Sequence, residues 1–432
     1  MDIEVKTITD EQLNGLLLTE ESHFVDFKSK AISPSKLTKT ISAFANTSGG
    51  EIFVGIEEIK GVNGPEMVWA GFDNQESANA IFQVMEAITP LMNNHSALFL
   101  ASSGFGLVLH LTIFKSQDII TASDGKIYVR RSAQNLPVVD SVGIDRLKFD
   151  KGIRSFEDET VNANRNEIEN SVVIMTFLLS VLPTTEPDDW TEKQKVTING
   201  KPTVAGVLLY SDNPQATLPK RSAIKILRYQ TKHEAERDFL VADPITIEGP
   251  IYELIYSAVD QVKMIIESIE KHGPKGPERV SYPHEALHEL LTNAVLHRDY
   301  SVVADVQVRI FDNRVEIESP GRLPGHVTTQ NISKTQFARN PKVVRLINKF
   351  KNPPNKDVGE GINTAFEAMN KIRLKEPIIM ESEGSVLVVL RHESLGSPEQ
   401  MVMDYLKTHS EITNAIARDL TGERFEKRVG FA

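Results

Sequence analysis

Residues 284–300 read HEALHELLTNAVLHRDY, and the placement of their polar groups decides how the second half of the chain is read. Leu287, Leu290, Leu291, Ala294 and Val295 fall on one broad apolar stripe, the mark of a helix laid against a core. Glu289, Asn293 and His297 recur at i, i+4 and i+8, so they share a separate polar face. Pro283 stands at a natural first-turn position. Two other spellings overlap this helix. His284-Glu285-Ala286-Leu287-His288 has the H-E-x-x-H spacing that lets two histidines share a zinc ion, with the glutamate as base. The longer pattern asks for Gly at 291 and His at 294, where the chain has Leu291 and Ala294. Glu316 and Glu318 follow a strand pattern, so no helix-borne third ligand is evident. His297-Arg298-Asp299 opens like a kinase catalytic loop, but Ala304 stands where its magnesium-binding Asn belongs, and no glycine-rich loop precedes it. The polar face survives both tests. A carboxylate one turn before a carboxamide suits chemistry on nucleotide phosphates: the Glu can orient a water as general base, and the Asn oxygen can ligate Mg²⁺.

Working outward from this helix, 306–311 and 314–319 form a hairpin across Asp312-Asn313, and 384–391 adds another strand. The expected third unit therefore runs over 281–395. Before it, residues 151–280 read as a middle α/β segment. Its apolar runs 204–210 and 223–228 are expected strands, and 251–271 an amphipathic helix stopped by Gly273-Pro274 and Gly276-Pro277. The first unit, 1–150, shows period-2 alternation at 24–28 and a helix through Leu37, Ile41, Phe44 and Ala45 with Ser35 as its N-cap. Strands are expected at 51–56, 107–114 and 127–131, and 148–159 reads as a polar linker. Two short helical patterns, 399–408 and 412–420, occupy a last piece, 396–432.

The whole chain has 432 residues, long enough for several domains. Its 40% apolar and 25% charged content is that of a globular protein. No long apolar window spans a membrane, and MDIEVKTITDEQ lacks the character of a secretory signal. With no cysteine, disulfides and thiolate metal sites are excluded, which suits a reducing cytoplasm. The net charge of −11 gives no bulk attraction to nucleic acid, so any such contact must use a local basic surface. Lys28, Lys30, Lys36 and Lys39, with Lys126, Arg130 and Arg131, are the available cations.

Further motifs continue the pattern begun at 284: VEIESPGRLPGHVT (315–328), ARNPKVVRLI (338–347) and VGEGINTAF (358–366). With E-x-x-x-N-A and HRDY, this series resembles a divergent GHKL ATPase domain, the variant named by analogy with the RecG helicase C-terminus. The resemblance implies an α/β sandwich that binds ATP with Mg²⁺. Glu289 would be the catalytic base and Asn293 the magnesium ligand. Gly321, Gly359 and Gly361 would form glycine boxes at the nucleotide. The chain departs from the family where an adenine-reading aspartate is usual, since Ser319-Pro320-Gly321 stands there.

Glu21-Ser-His-Phe-Val-Asp-Phe-Lys28 and SAFANTSGGEIFVGIEE (42–58) resemble a Schlafen-type Alba-like domain, and PTVAGVLLYSDNPQATLP (202–219) fits the same architecture. This implies a nucleic-acid partner, DNA or RNA. By resemblance to Schlafen nucleases, Glu21, Asp26 and Glu57 are candidate catalytic carboxylates. Glu21 and Asp26 would hold a divalent cation, Mg²⁺ or Mn²⁺, while Lys28, Arg130 and Arg131 contact phosphates. SPEQMVMDYLKTHSEITNAIARDLTG (397–422) resembles the first helices of a winged helix-turn-helix, a partial one, because recognition helix and wing would fall beyond Ala432. The expectation is thus a multidomain α/β and α+β protein of the cytoplasm: a homo-oligomeric regulator that binds nucleic acid and responds to nucleotide, in transcription or defence. The alternatives are a metal-dependent endoribonuclease cutting tRNA or other RNA, and a non-catalytic scaffold whose third unit only dimerises.

Overall fold

The computed structural model describes residues 3–61, 64–88, 91, 94–102, 104–273, 276–355, 361–382 and 384–392, with 402–403, 406, 411–414 and 417 beyond them. Gly359 and nearly all of the expected winged-helix piece lie outside the described residues. The architecture is mixed α/β, with two large sheets.

The first sheet orders its strands Val5–Thr7, His95–Ala101, Val108–Ile113, Gly50–Val54, Val25–Lys28. Its outer pairs are parallel and its inner pairs antiparallel. The helix Pro34–Asn46 covers one face, burying Leu37, Ile41, Phe44 and Ala45 against Ile52, Val54, Phe99 and Leu111. Ser33, not Ser35, is its N-cap, because Pro34 takes the first helical position. The opposite edge of this helix carries Asn46, whose amide donates to Ile120 O (2.7 Å) and Tyr128 O (3.0 Å) and accepts from Ile120 N (2.8 Å). These bonds fix the hairpin Ile127–Arg131/Gln134–Val138 over the helix. The expected strand 51–56 ends early: Gly55, at φ 111°, turns the chain into a separate hairpin, Ile56–Gly61/Gly64–Trp69.

The second sheet runs Ile245–Glu248, Ala223–Arg228, Val306–Ile310, Arg314–Pro320, Ser385–Arg391, Ile378–Glu381. Ala223–Arg228 pairs parallel with Val306–Ile310, and every other pair is antiparallel. One apolar cluster reaches from Ile168 to Leu390 and includes the helices Ile251–Glu267 and His284–Leu296. The boundary expected at 280 therefore cuts a single sheet and a single core. The middle and third segments pack as one body.

Two local expectations are also corrected. Val204–Tyr210 is a helix, not a strand, and all seven of its residues are buried. A short apolar run carries no period when every face is covered, so alternation cannot separate the two states. What decides it is Thr203, whose hydroxyl caps Gly206 N, while Gly206 lies so close to Val196 O that a Cβ would meet it at 2.5 Å. The stretch 148–159 is not a linker either. It begins in the last turn of the helix Ser141–Asp150 and carries two buried ionisable anchors. Lys151 donates to Ala45 O (2.9 Å) and Ser116 O (2.5 Å), and Glu157 accepts from Lys342 N and Val343 N, both at 2.7 Å. Each anchor satisfies backbone groups that water cannot reach.

Burial pulls the Lys115 ammonium from its ordinary 10.5 down to about 8, against the opposing charge of Glu381. Lys151 falls to about 7, through burial and then the charge of Lys115. Between these values and 10.5 the unfolded chain binds more protons than the folded one, so stability rises with pH across that window and falls as pH drops through 8 and 7. The urea midpoint is expected to be higher at pH 9 than at pH 6.5, with Lys151→Met flattening the difference. A lower midpoint at pH 9 contradicts this account.

Candidate functional site

The helix His284–Leu296 turns its apolar stripe into the core, with Leu287, Leu290, Leu291 and Val295 all buried. Its other side faces a cavity of about 790 Å³, within the roughly 300–1,000 Å³ typical of small-molecule sites. Ile317, Ile379, Val386 and Val388 supply an apolar sheet floor, with Ser319 among them. Glu289, Asn293, Lys334 and Asn363 supply polar walls. Asn293 Nδ2 donates to Glu289 Oε1 at 2.9 Å, which leaves its carbonyl oxygen as the group able to ligate a cation. Burial raises Glu289 above the usual carboxylate range, and the bond from Asn293 partly opposes that. A raised carboxyl is a better base near neutral pH.

Gly361 opens the helix Gly361–Lys371 directly opposite this pair. A Cβ there would lie 2.8 Å from Glu289 Oε1 and 3.8 Å from Asn293 Nδ2. A missing side chain at that spot keeps open the space between a carboxylate, a carboxamide and a helix N-terminus, a cradle that fits a phosphate-bearing ligand. Asn363 donates to Ser333 O at 2.9 Å and so ties this helix to the loop carrying Lys334. Arg322 and Asn363, inside motifs quoted above but given no role there, also line the cavity, as does Lys334, which lies outside every quoted motif.

Gly321 also lines the cavity, yet its own constraint comes from behind. At φ +98° a Cβ would lie 2.4 Å from Asp299 Cβ. That contact explains the HRDY letters. Arg298 is buried and donates to the carbonyls of Arg221, Val302 and Ala304, while Asp299 caps Ser301 N and faces Arg339 at 3.4 Å. Backbone Asp299 N donates to Pro320 O at 2.8 Å. The motif is a clamp on the glycine turn. His297, beside it, has its pKa lowered to about 4 by burial and then by the charge of Arg339, and among the described residues its Nδ1 has no hydrogen-bond partner. Ser319 Oγ donates to Ala294 O at 2.7 Å.

The N-terminal candidates gather only in part. Lys28 Nζ contacts Asp26 Oδ1 (2.6 Å) and Glu21 Oε1 (3.6 Å), and Arg130 reaches Asp26 Oδ2 at 3.4 Å. Burial raises the Glu21 carboxyl, and its hydrogen bond with Asp26 adds to this. Glu57 instead accepts from Ser29 Oγ at 2.6 Å, since Gly55 has turned its strand into another hairpin. Among the described residues no group of three or more His, Cys, Asp or Glu side chains is placed to hold a metal ion. Two carboxylates already neutralised by Lys28 and Arg130 are poor Mg²⁺ or Mn²⁺ ligands, so the three-carboxylate reading loses its geometry. Arg130 is likewise no phosphate contact. It is buried, and its guanidinium donates to Ser22 O, Val25 O, Asn135 Oδ1 and Asp26 Oδ2. Arg131, next along the strand, is exposed.

Residues 21–139 match the family model described as Schlafen, AlbA_2, and residues 304–390 match that described as putative ATP-dependent DNA helicase recG C-terminal. Both resemblances read from the sequence hold. The pairing of a Schlafen AlbA_2 segment with an ATPase-type segment points to a nucleic-acid-related protein. Among solved structures the chain is similar to the DIP2311 protein from Corynebacterium diphtheriae, at 17% identity over 94% of this chain and 88% of that one, with a TM-score of 0.44. It is also similar to the N-terminal domain of a putative ATP-dependent DNA helicase RecG-related protein from Nitrosomonas europaea. That likeness has 15% identity over 30% of this chain and 92% of that one, with a TM-score of 0.23. No curated protein matches the chain. Among the described residues no helix is long and apolar enough to cross a membrane.

Proposed function

We propose that this protein binds nucleic acid through its N-terminal unit and a nucleotide, ATP with Mg²⁺, in the cavity beside the helix His284–Leu296. The observation that carries the nucleotide half is the Glu289–Asn293 pair facing the bare Cα of Gly361. Asn293 Oδ1 would hold the cation, the N-terminus of the helix Gly361–Lys371 would receive phosphate oxygens, and Lys334 would add positive charge. Bound Mg²⁺ would supply charge neutralisation on the phosphates. Glu289, with its carboxyl raised by burial, would take a proton from an attacking water. The apolar floor of Ile317, Ile379, Val386 and Val388 suits the face of a planar base. The nucleic-acid half rests on the Schlafen AlbA_2 match and on exposed cations such as Lys36, Lys126 and Arg131. A regulatory role, in transcription or defence, follows from joining the two activities in one chain.

Millimolar Mg·ATP is expected to raise the melting temperature of wild type by several degrees, roughly as mass action predicts for 100-fold excess over Kd. Glu289→Gln should keep that shift and lose phosphate release by roughly a hundredfold or more. An unshifted melt for wild type would discard the nucleotide half, and an active Glu289→Gln would remove its role as base.

A further inference from the structure

The loop 321–327 lines the nucleotide cavity on one side and is gripped by the N-terminal unit on the other. Lys115 Nζ donates to Leu323 O (2.6 Å) and Val327 O (3.3 Å). Gly325 N donates to Asp150 O at 3.0 Å, and Arg339 joins Asp150 to Asp299 while donating to Arg322 O at 2.6 Å. The N-terminal unit thus braces from behind a loop that forms one wall of the cavity, and Arg322 lines that wall.

Arg322 is partly exposed, unlike the buried Arg130 and Arg298. Arg130 directs its guanidinium donors to four acceptor groups, and Arg298 meets three carbonyls. Among the described residues Arg322 Nε has no hydrogen-bond partner, as is also true of Arg298 Nε and Arg339 Nε, but Arg322 alone of the three lines the cavity; Glu381 Oε1 comes no nearer than 3.7 Å. Its Nη2 lies 3.3 Å from His23 Nε2, an atom that also contacts Ser48 Oγ at 3.3 Å. A guanidinium with an unpaired donor beside a cavity costs free energy until an acceptor-rich group reaches it. His23, in turn, adjoins Ser22, whose carbonyl accepts twice from Arg130, the cation paired with Asp26.

We propose that Arg322 is a ligand-contacting residue of this cavity, donating to an oxygen of an anionic ligand such as a nucleoside polyphosphate, and that His23 links the contact to the N-terminal charged cluster. The inference rests on the cavity being a nucleotide site and adds a residue and a coupling to it. When the guanidinium turns to a ligand oxygen, it leaves His23, so the His23–Ser22–Arg130 segment senses occupancy. By linkage, whatever the N-terminal unit binds through that segment alters ligand affinity by the same factor.

Calorimetry with Mg·ADP and with inorganic triphosphate tests this on wild type, Arg322→Ala, Arg322→Gln, His23→Gln and the His23→Gln/Arg322→Ala double variant. Arg322→Ala is expected to weaken both probes by roughly ten- to a hundredfold, the range for a lost charge-assisted hydrogen bond. His23→Gln should shift affinity severalfold in wild type and leave it unchanged in the Arg322→Ala background. Wild-type affinity in Arg322→Ala overturns the contact, and equal His23 effects in both backgrounds overturn the link. Should Arg322→Ala fail to fold, Arg322→Gln, which keeps bulk without charge, decides by the same criterion. Triphosphate binding that depends on Arg322, with no binding of ADP, sinks the nucleotide reading and leaves the Arg322 contact standing. A wild type that binds neither probe overturns both.

Discussion

Arg130→Ala is expected to destabilise the N-terminal unit by about 3–5 kcal/mol, the cost of breaking a buried ion pair and leaving one partner behind. The guanidinium is buried, reaches Asp26 at 3.4 Å, donates to backbone at Ser22 and Val25, and lies over the Phe44 ring at 4.8 Å. Its removal takes the guanidinium donors from Ser22 O, leaves Val25 O with Ser22 N only, and strips Asp26 of one of its two cationic partners. Arg130→Lys should recover only part of the loss, because one ammonium cannot reproduce a planar fork that spans several acceptors. Urea unfolding measures both. Charge reversal at exposed Arg131 serves as the contrast, with a stability change within about 0.5 kcal/mol. If Arg130→Ala keeps wild-type stability and loses only nucleic-acid affinity, the sequence expectation of a phosphate contact was right and the structural role assigned to it is wrong.

Gly361→Val is expected to lower Mg·ATP affinity by roughly a hundredfold or more while leaving the unliganded protein within about 1 kcal/mol of wild type. The first carbon of the new side chain would lie 2.8 Å from Glu289 Oε1. That oxygen belongs to a movable side chain, so the fold can yield by displacing it. Displacement breaks the 2.9 Å bond to Asn293 and fills the cradle. Gly361→Ala should fall between the two. Paired melts with and without Mg·ATP separate the effects: a valine variant that shifts like wild type takes Gly361 out of the site.

The sequence carried the candidate site furthest where chemistry and helical period coincide. Glu289 and Asn293 are four apart on one helix, so local geometry alone brings them within hydrogen-bond reach. Residues 25–28 form the expected strand, though Asp26 and Phe27 are both buried, and the match of 21–139 and 304–390 to two family models follows the motifs quoted there. The expectation failed where neighbours in space are distant in sequence. Val204–Tyr210 was misread because a fully enclosed helix loses its period. The resemblance groups Glu57 with Asp26, but Gly55 turns the chain into a separate hairpin that carries Glu57.

By itself, the sequence determined which residues could act: a carboxylate–carboxamide pair on a polar helix face, an acid–base strand, and the absence of thiol chemistry. Those follow from residue type and from periods of 2 and 3.6, which are properties of short segments. Only the tertiary structure decided how these groups are used. Arg130 became a buried brace because Asn46 holds its hairpin against the helix Pro34–Asn46. HRDY became a clamp because Gly321 lets Asp299 approach. Arg322 was placed against the N-terminal unit by Lys115, which lies far from it in sequence, and is held from its own unit by Arg339. Burial, and with it the identity of each charge's partner, is a property of the assembled core, and no local window of HEALHELLTNAVLHRDY contains it.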